Sequence, residues 1–235
     1  MNGSRLYDIR RFYDLLERLE QKIGGARLLS DCTGKLNWPQ RGVYFFREEG
    51  ETRSDSGAGS RIVRIGTHAL TATSKTTLWN RLSQHRGTSR VAGGNHRGSV
   101  FRLLVGAALI ESGEHCCETW NDKKSIASAE DRARELPMEQ AVSKRIGAMT
   151  FLWLGVDDPP GRESDRGVIE RGSIALLSNF GKAPIDQPSA DWLGHCCASP
   201  LVRASGLWNQ NHVQEQYDPA FLDRLEALID AQAGS

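Results

Sequence analysis

Two polar residues in the segment "TTLWNRLSQHRG", residues 76–87, have types and a spacing suited to phosphate chemistry. Arg81 and His85 are four residues apart, so a helix over this segment projects both side chains from one face. The planar fork of an arginine matches phosphate oxygens, and a histidine beside it can donate to the same group or carry a proton. An exposed helix charge is the alternative interpretation of Arg81.

The basic residues are unevenly distributed along the chain. Residues 56–110 contain no Asp or Glu, although they contain eight of the 30 basic residues of a chain whose net charge is +1. The rest of the chain therefore has 22 basic and 29 acidic residues. A solvated basic face normally includes acids, so their absence favours a phosphate-rich partner such as a nucleic acid.

Composition excludes several other classes of protein. Hydrophobic residues make up 39% and charged residues 25% of 235 residues, which is typical of a soluble globular protein. No segment approaches the roughly 20 apolar residues that cross a bilayer, and the first residues do not resemble a secretory signal. We therefore expect a cytoplasmic protein without a membrane partner. Its five cysteines include two adjacent pairs, which favours reduced thiols.

The hydrophobic pattern predicts the elements that must position Arg81 and His85. Apolar residues at helical spacing over 4–23 predict an N-terminal helix that ends at Gly24-Gly25. "GVYFF" at 42–46 and "RIVRIG" at 61–66 predict two strands joined by a long polar loop. A short capped helix follows, closing at Gly87. By periodicity alone, "SVFRLLVGAAL" is compatible with either strand or helix.

The second half of the chain continues with mixed elements. Residues 111–137 are polar and predict a surface insertion, followed by a helix over 138–146. "MTFLWLGVDD" is typical of a buried strand, and Asp165 could cap the helix "RGVIERGSIALLSNF". Asp218 and Pro219 open a last helix with one apolar stripe.

Taken in order, four of these segments resemble the motifs of the GIY-YIG nuclease superfamily. They are "GVY" at 42–44, "RIG" at 64–66, "LWNRLSQH" at 78–85 and the helix that carries Glu170. The resemblance covers about residues 40–180 and implies an α+β fold, in which helices flank a small three-stranded antiparallel sheet. It also implies cleavage of nucleic-acid phosphodiesters with a divalent metal.

The resemblance assigns roles to individual residues. Tyr44 would accept the proton of the attacking water, Arg81 would contact the scissile phosphate with His85 assisting, and Glu170 would be the sole ligand of Mg²⁺ or Mn²⁺. A single carboxylate with waters is a usual way to hold magnesium against a phosphate. The family often has an asparagine after this glutamate. Asn179 is the nearer match, with Asn209 and Asn211 as competitors.

The chain departs from the family pattern at Arg64, which replaces the second tyrosine. Strand alternation places Ile62 and Arg64 on one face, so Arg64 occupies the side where that tyrosine would face the site. A fixed cation there could ease deprotonation of Tyr44 or bind a phosphate oxygen. It could also mark a site that no longer cleaves. Because the other site residues are present, we favour the active interpretation.

Further side chains of the basic stretch are candidates for contacts with nucleic acid. The segment "GGNHRGSVFR" combines paired glycines with His96 and Arg97 in a flexible basic loop. The complete set of expected nucleic-acid contacts is Arg61, His68, Lys75, Arg86, Arg90, His96 and Arg97. The repeated "HCC" at 115–117 and 195–197 invites a zinc hypothesis, but the usual two-residue gap between cysteines is absent.

These observations predict a metal-dependent DNA endonuclease of the stand-alone, restriction-type kind. We expect one domain over 1–235, with an N-terminal helical extension at 1–39 and a core at 40–180. A helical insertion at about 88–147 interrupts the core, and 181–235 form a C-terminal extension. A non-catalytic DNA-binding protein and an RNA-directed nuclease are the alternatives. One site per subunit would need a homodimer or two visits to cut both strands of a duplex.

Overall fold

The structure, a computed structural model, describes residues 2–71, 73–122, 126–161 and 164–232. Its strands are β1 Arg27–Leu28, β2 Gly42–Thr52, β3 Ser60–Gly66 and β4 Thr150–Gly155. Its helices are α1 Asn2–Lys22, α2 Leu78–Arg86, α3 Val100–Glu111, α4 Ala129–Gly147, α5 Asp165–Leu177, α6 Pro200–Ser205 and α7 Ala220–Ala231. The α+β class is confirmed.

The sheet is antiparallel throughout, with the strand order β1-β4-β2-β3. The resemblance predicted three strands, and the fourth is the two-residue β1, which pairs with β4 at the sheet edge. Gly24 and Gly25, with φ of +74° and +103°, turn the chain back after α1 and bring β1 to that edge. An isolated pair of residues carries no periodic pattern from which a strand could be predicted.

Helices cover both faces of the sheet. Phe45 lies on the face of α1, where its ring meets Phe12 edge-on at 5.9 Å between centroids. Helices α5 and α7 pack on the same side as α1. Tyr44 and Phe46 point to the opposite face, where Phe46 packs against Phe101 of α3 at 5.6 Å. The sheet is therefore buried on both sides, which explains why β2 begins with five consecutive buried residues.

The strand β2 is longer than the sequence predicts. It continues through the polar residues 47–52, which were expected to belong to the loop. Glu48 and Glu51 are buried there, because Glu48 accepts from Arg145 and two tryptophans and Glu51 accepts from Arg61. Buried carboxylates with such partners are compatible with a strand, although their residue types indicate a loop.

A β-bulge interrupts the pairing of β2 with β3. Tyr44 lies opposite Gly66 and Phe46 opposite Arg64, but Arg47 lies opposite Ile62, so Val63 is the extra residue. The carbonyl of Val63 accepts from the Trp208 N–H at 2.7 Å instead. Simple alternation, which placed Ile62 on the face of Arg64, is therefore wrong. The bulge puts Arg61 on that face.

The structure decides one helix that the sequence left open, α3, and shows an earlier start for another, α4. The undecided segment after the glycine loop is helix α3, with Ser99 as its side-chain N-cap. Helix α4 begins at Ala129, inside the predicted surface insertion, because Ser128 and Asp131 form a capping box. Pro137 lies within α4 without ending it. None of the helices in the described ranges is long and apolar enough to span a membrane.

Candidate active site

Tyr44 is the central residue of the candidate site. It lies on β2 between Gly66 of β3 and Trp153 of β4, and its side chain is completely buried. A Cβ atom on Gly66 would lie 2.3 Å from the Tyr44 hydroxyl oxygen, so only glycine allows the ring to cross β3 at this point. The hydroxyl lies 2.8 Å from Nε2 of His85, within hydrogen-bonding distance.

His85 connects Tyr44 to the start of α3. The ring is fully buried on α2, and its Nδ1 lies 2.8 Å from Oγ of Ser99. Burial, with the nearby charges of Arg81, Arg64 and Arg102, holds the pKa of His85 well below its usual range. The imidazole is therefore neutral, with one nitrogen donating and the other accepting. Tyr44, His85 and Ser99 form a hydrogen-bonded chain through which a proton can move.

Arg64 lies on the same sheet face as Tyr44. Its Nη1 donates to the carbonyl of Trp208 and its guanidinium lies 5.5 Å from the centre of the Phe101 ring. Its Nε is buried and has no hydrogen-bond partner among the described residues. The charge acts on both His85 and the carboxyl group of Glu170. Arg64 thus links the two halves of the candidate site electrostatically.

Glu170 approaches the site from α5. The half-buried carboxyl accepts from the backbone N–H of Thr67 at 3.0 Å, just beyond the end of β3. Burial raises the pKa of Glu170, and the charge of Arg64, the Thr67 N–H and the charges of His212 and Arg81 oppose that rise. The carboxyl group is therefore partly desolvated, and the neighbouring positive charges counteract part of the cost of ionising it.

The donor set at Glu170 fits one kind of metal site. The described residues contain no cluster of three or more His, Cys, Asp or Glu that could hold a metal. Glu170 offers a second carboxylate oxygen, which accepts no hydrogen bond from the described part of the chain. Such a set suits Mg²⁺ or Mn²⁺ that keeps most of its waters, and does not suit a metal enclosed by protein ligands.

Arg81 is half-exposed on α2 and points toward the same region. Its Nη1 donates at 3.1 Å to both the Gln84 side chain and the carbonyl of Gly98. Its charge acts on Glu170 and on His85. Neutral acceptors orient this guanidinium but leave its charge available to an anion.

Asn179 occupies a different environment. Its Oδ1 accepts from Arg5 and from the Ile185 N–H, each at 3.0 Å, so the amide holds the chain after α5. By contrast, the Asn209 side chain forms two hydrogen bonds with the backbone of Ile65. It accepts from the N–H at 3.2 Å and donates to the carbonyl at 2.9 Å. Of the two asparagines, Asn209 is therefore the one bound to the strand that carries Arg64.

Sequence reasoning missed His212, which acts on Glu170 from the loop before α7. A signal was present, since "GLWNQNH" combines amide and imidazole groups in seven residues. The motif resemblance stops at about residue 180, however, and the contact between this loop and β3 joins residues more than 140 apart.

Three of the predicted nucleic-acid contacts are bound to carboxylates. Arg61 is buried with Glu51, and its Nε donates to that carboxylate at 2.7 Å. Arg97 forms a bidentate salt bridge with Glu135, with nitrogen–oxygen distances of 2.6 and 2.7 Å. His96 is buried, with Nδ1 2.9 Å from Glu139 and its ring stacked on a tryptophan. These side chains stabilise the fold.

The other four expected contacts differ in exposure. The buried His68 has Nδ1 2.9 Å from the carbonyl of Thr76, and desolvation lowers its pKa to about 4. Arg86 bonds to the carbonyl of Cys32 and lies over Trp79. Lys75 and Arg90 are exposed to solvent.

The paired cysteines do not form a metal centre within the described residues. Cys116 and Cys196 are exposed, whereas Cys197 is buried with its thiol toward the carbonyl of Leu104. All five cysteines are free thiols. The second cysteine of the second pair is thus a small buried residue, as expected when a zinc-binding spacing is absent.

The fold and the site together define an α+β protein with a group of charged side chains beside a β-hairpin. The family model described as GIY-YIG domain matches residues 3–234. Because that match covers nearly the whole chain, the protein belongs to the GIY-YIG domain family, whose members are generally nucleases. The comparisons with curated proteins and with solved structures give no match. The family match extends beyond the motif resemblance and includes α1 and α7.

Proposed function

We propose that this protein is a metal-dependent endonuclease that hydrolyses phosphodiester bonds of double-stranded DNA, in a restriction or defence role. One observation carries the proposal. Arg64 acts at once on the Glu170 carboxyl and on His85, the hydrogen-bond partner of Tyr44, so an acid–base chain and a metal-binding carboxylate share one charged environment. Membership of the GIY-YIG domain family supports the same class of chemistry.

Glu170 would hold Mg²⁺ or Mn²⁺ through its carboxylate, with the remaining positions left to water and substrate. When bound, such an ion polarises the phosphoryl group and lowers the pKa of coordinated water. The carboxyl must be ionised for this task. Since burial raises the pKa of Glu170, cleavage is lost on acidification at a higher pH than an exposed glutamate would require.

Tyr44 and His85 handle the proton of the attacking water. The Tyr44 oxygen accepts that proton while the phenolic proton passes to Nε2 of His85, 2.8 Å away. With the Nδ1 proton of the same ring donated to Ser99 Oγ, Nε2 is the unprotonated nitrogen that receives the phenolic proton. Tyr44 has no solvent exposure, so a side-chain movement on substrate binding must admit the water to it.

Arg81 and Arg64 stabilise the negative charge that develops on the phosphoryl oxygens. Neither forms a salt bridge with a carboxylate of the described residues, and both are held by neutral acceptors. Cations oriented in advance are effective at this task. Arg64 thereby replaces the second tyrosine of the family pattern with a phosphate contact. The alternative, a DNA-binding protein without activity, draws support from the complete burial of Tyr44 and His85.

Nicking of supercoiled plasmid in Mg²⁺ or Mn²⁺ tests the proposal. We expect the wild type to nick, and Glu170→Ala to nick about 100-fold more slowly or worse, because the metal-binding charge is gone. Glu49→Ala, which removes an exposed glutamate of β2, is the matched control and should retain the wild-type rate. Wild type that cuts no DNA in either metal, or Glu170→Ala that cuts as well as wild type, contradicts the mechanism. Cleavage of RNA alone would support the RNA-directed alternative.

A further inference from the structure

His212 has a backbone conformation that is uncommon for residues other than glycine. Its φ is +65°, in the left-handed region, where most non-glycine residues are strained. Strained positions of this kind cluster at functional sites, because the surrounding structure must hold them in place. The local sequence therefore does not favour this geometry, and tertiary contacts maintain it.

Those contacts fix the loop on both sides of His212. Before it, Trp208 and Asn209 bond to the backbone of Val63 and Ile65, so the loop runs along β3 toward Thr67. After it, the carbonyl of Val213 accepts from Ser178 Oγ at 2.7 Å. The loop is thereby anchored to β3 and to the end of α5, the helix of Glu170.

The His212 ring is also oriented. Its Nδ1 lies 2.7 Å from Oε1 of Glu215, and the side chain is 28% exposed. Within the described ranges Nε2 forms no hydrogen bond. A carboxylate at one ring nitrogen selects the tautomer and leaves the other nitrogen available to a ligand. The loop that carries His212 binds β3 at Ile65, two residues before Thr67, whose N–H donates to the Glu170 carboxyl, and the charge of His212 acts on that carboxyl.

We infer that His212 is the general acid of the cleavage reaction, which protonates the departing oxygen of the phosphodiester. This inference rests on the proposed nuclease function. As the oxygen of water bonds to phosphorus, the bond to the leaving oxygen breaks and its electron pair remains on that oxygen. The Nε2 proton of His212 transfers there, and the neutral ring keeps its Nδ1 proton toward Glu215. Solvent then restores the Nε2 proton.

The assignment divides the proton transfers between two regions. Tyr44 and His85 are buried and lie 2.8 Å apart, so the unprotonated Nε2 of neutral His85 can receive the phenolic proton directly. His212 is partly exposed with Nδ1 held by Glu215, so its Nε2 can exchange protons with solvent and deliver one to the departing oxygen. Opposite tasks in one displacement require such different environments.

A leaving-group comparison tests the inference. The cleavage position is first mapped on wild type, and a second duplex then carries sulphur in place of the departing oxygen. A thiol has an ordinary pKa of about 8.5, so a thiolate departs without protonation. His212→Asn is the informative variant, because asparagine tolerates the left-handed backbone and lacks the imidazole. His115→Ala, at an exposed histidine, is the control.

We expect His212→Asn to cleave the oxygen ester about 100-fold more slowly under single-turnover conditions and the sulphur ester within about threefold of wild type. Glu215→Gln should show a smaller loss with the same selectivity, because it positions the ring. Equal losses on both esters, or no loss on either, overturn the inference. A metal-ligand role would give equal losses together with a higher Mg²⁺ requirement. If wild type cuts neither duplex, the proposed function itself fails.

Discussion

Two arginines three residues apart on β3 have the same anchoring but opposite electrostatic roles. Arg61 donates to the carbonyl of Gly206 and lies over the Trp192 ring, and Arg64 donates to the carbonyl of Trp208 and lies over the Phe101 ring. Only Arg61 also binds a carboxylate, that of Glu51. Its charge is neutralised within the fold, whereas the charge of Arg64 acts on Glu170 and His85.

This difference extends to the whole basic stretch. Its acids are absent from the local sequence, but the fold brings Glu51, Glu135 and Glu139 to Arg61, Arg97 and Arg102 from other parts of the chain. A run of like charges along a sequence therefore overestimates the charge presented to a partner. The cations that remain without a carboxylate are the better candidates for contacts with phosphate.

The largest effect should be the loss of stability on breaking the ion pair between Arg61 and Glu51. Arg61→Met leaves Glu51 as a buried, uncompensated carboxylate, so the free energy of unfolding should fall by about 3–5 kcal/mol. Urea unfolding at pH 7 measures this change. The double variant Arg61→Met with Glu51→Leu is the control, and it should recover most of the loss. A single variant as stable as wild type would show that the pair is not a buried ion pair in solution.

Substitution of Arg64 should reduce the cleavage rate much more than the stability. Arg64→Ala removes one hydrogen bond and the contact with Phe101 but leaves no unpaired carboxylate, so the free energy of unfolding should fall by less than in Arg61→Met, about 1–3 kcal/mol. Its cleavage rate should fall about 100-fold, because charge that stabilises the transition state is lost. Arg64→Tyr, which restores the family tyrosine, should recover about tenfold of that loss, measured as single-turnover rates. An Arg64→Ala enzyme with wild-type cleavage would remove Arg64 from the mechanism.

The smallest effect concerns the exposed cations. Lys75→Ala and Arg90→Ala should each reduce the slope of log affinity for DNA against log salt by about 0.9, the value for one lost phosphate contact. Arg97→Ala should leave the slope unchanged, since Glu135 already neutralises that charge. Fluorescence anisotropy with a Glu170→Gln background, which prevents cleavage, provides the measurement. If the slope changes for Arg97→Ala but not for Lys75→Ala or Arg90→Ala, the paired arginine and not the exposed cations contacts the phosphates.

Local patterns predicted much of the fold. The apolar spacing of α1, α2 and α5, the cap of α2 and the apolar runs of β2, β3 and β4 led to the correct order of these elements. The cap of α5 is Ser164 and not the predicted Asp165. Tyr44, Arg81, His85 and Glu170 were found from short motifs within those elements. The start of α4 and the end of β2 were missed because partners distant in sequence, such as those of Glu48, satisfy polar residues that otherwise indicate a loop.

Residue types, spacing and order were sufficient to place this chain among GIY-YIG proteins and to identify its unusual Arg64. The tertiary structure decided which cations are neutralised, that Tyr44 and His85 are buried, and that the loop of Asn209 and His212 binds to β3. The physical reason is distance along the chain. Helix and strand patterns act within a few residues, whereas burial and ion pairing depend on groups such as Thr67 and Glu170, which are 103 residues apart.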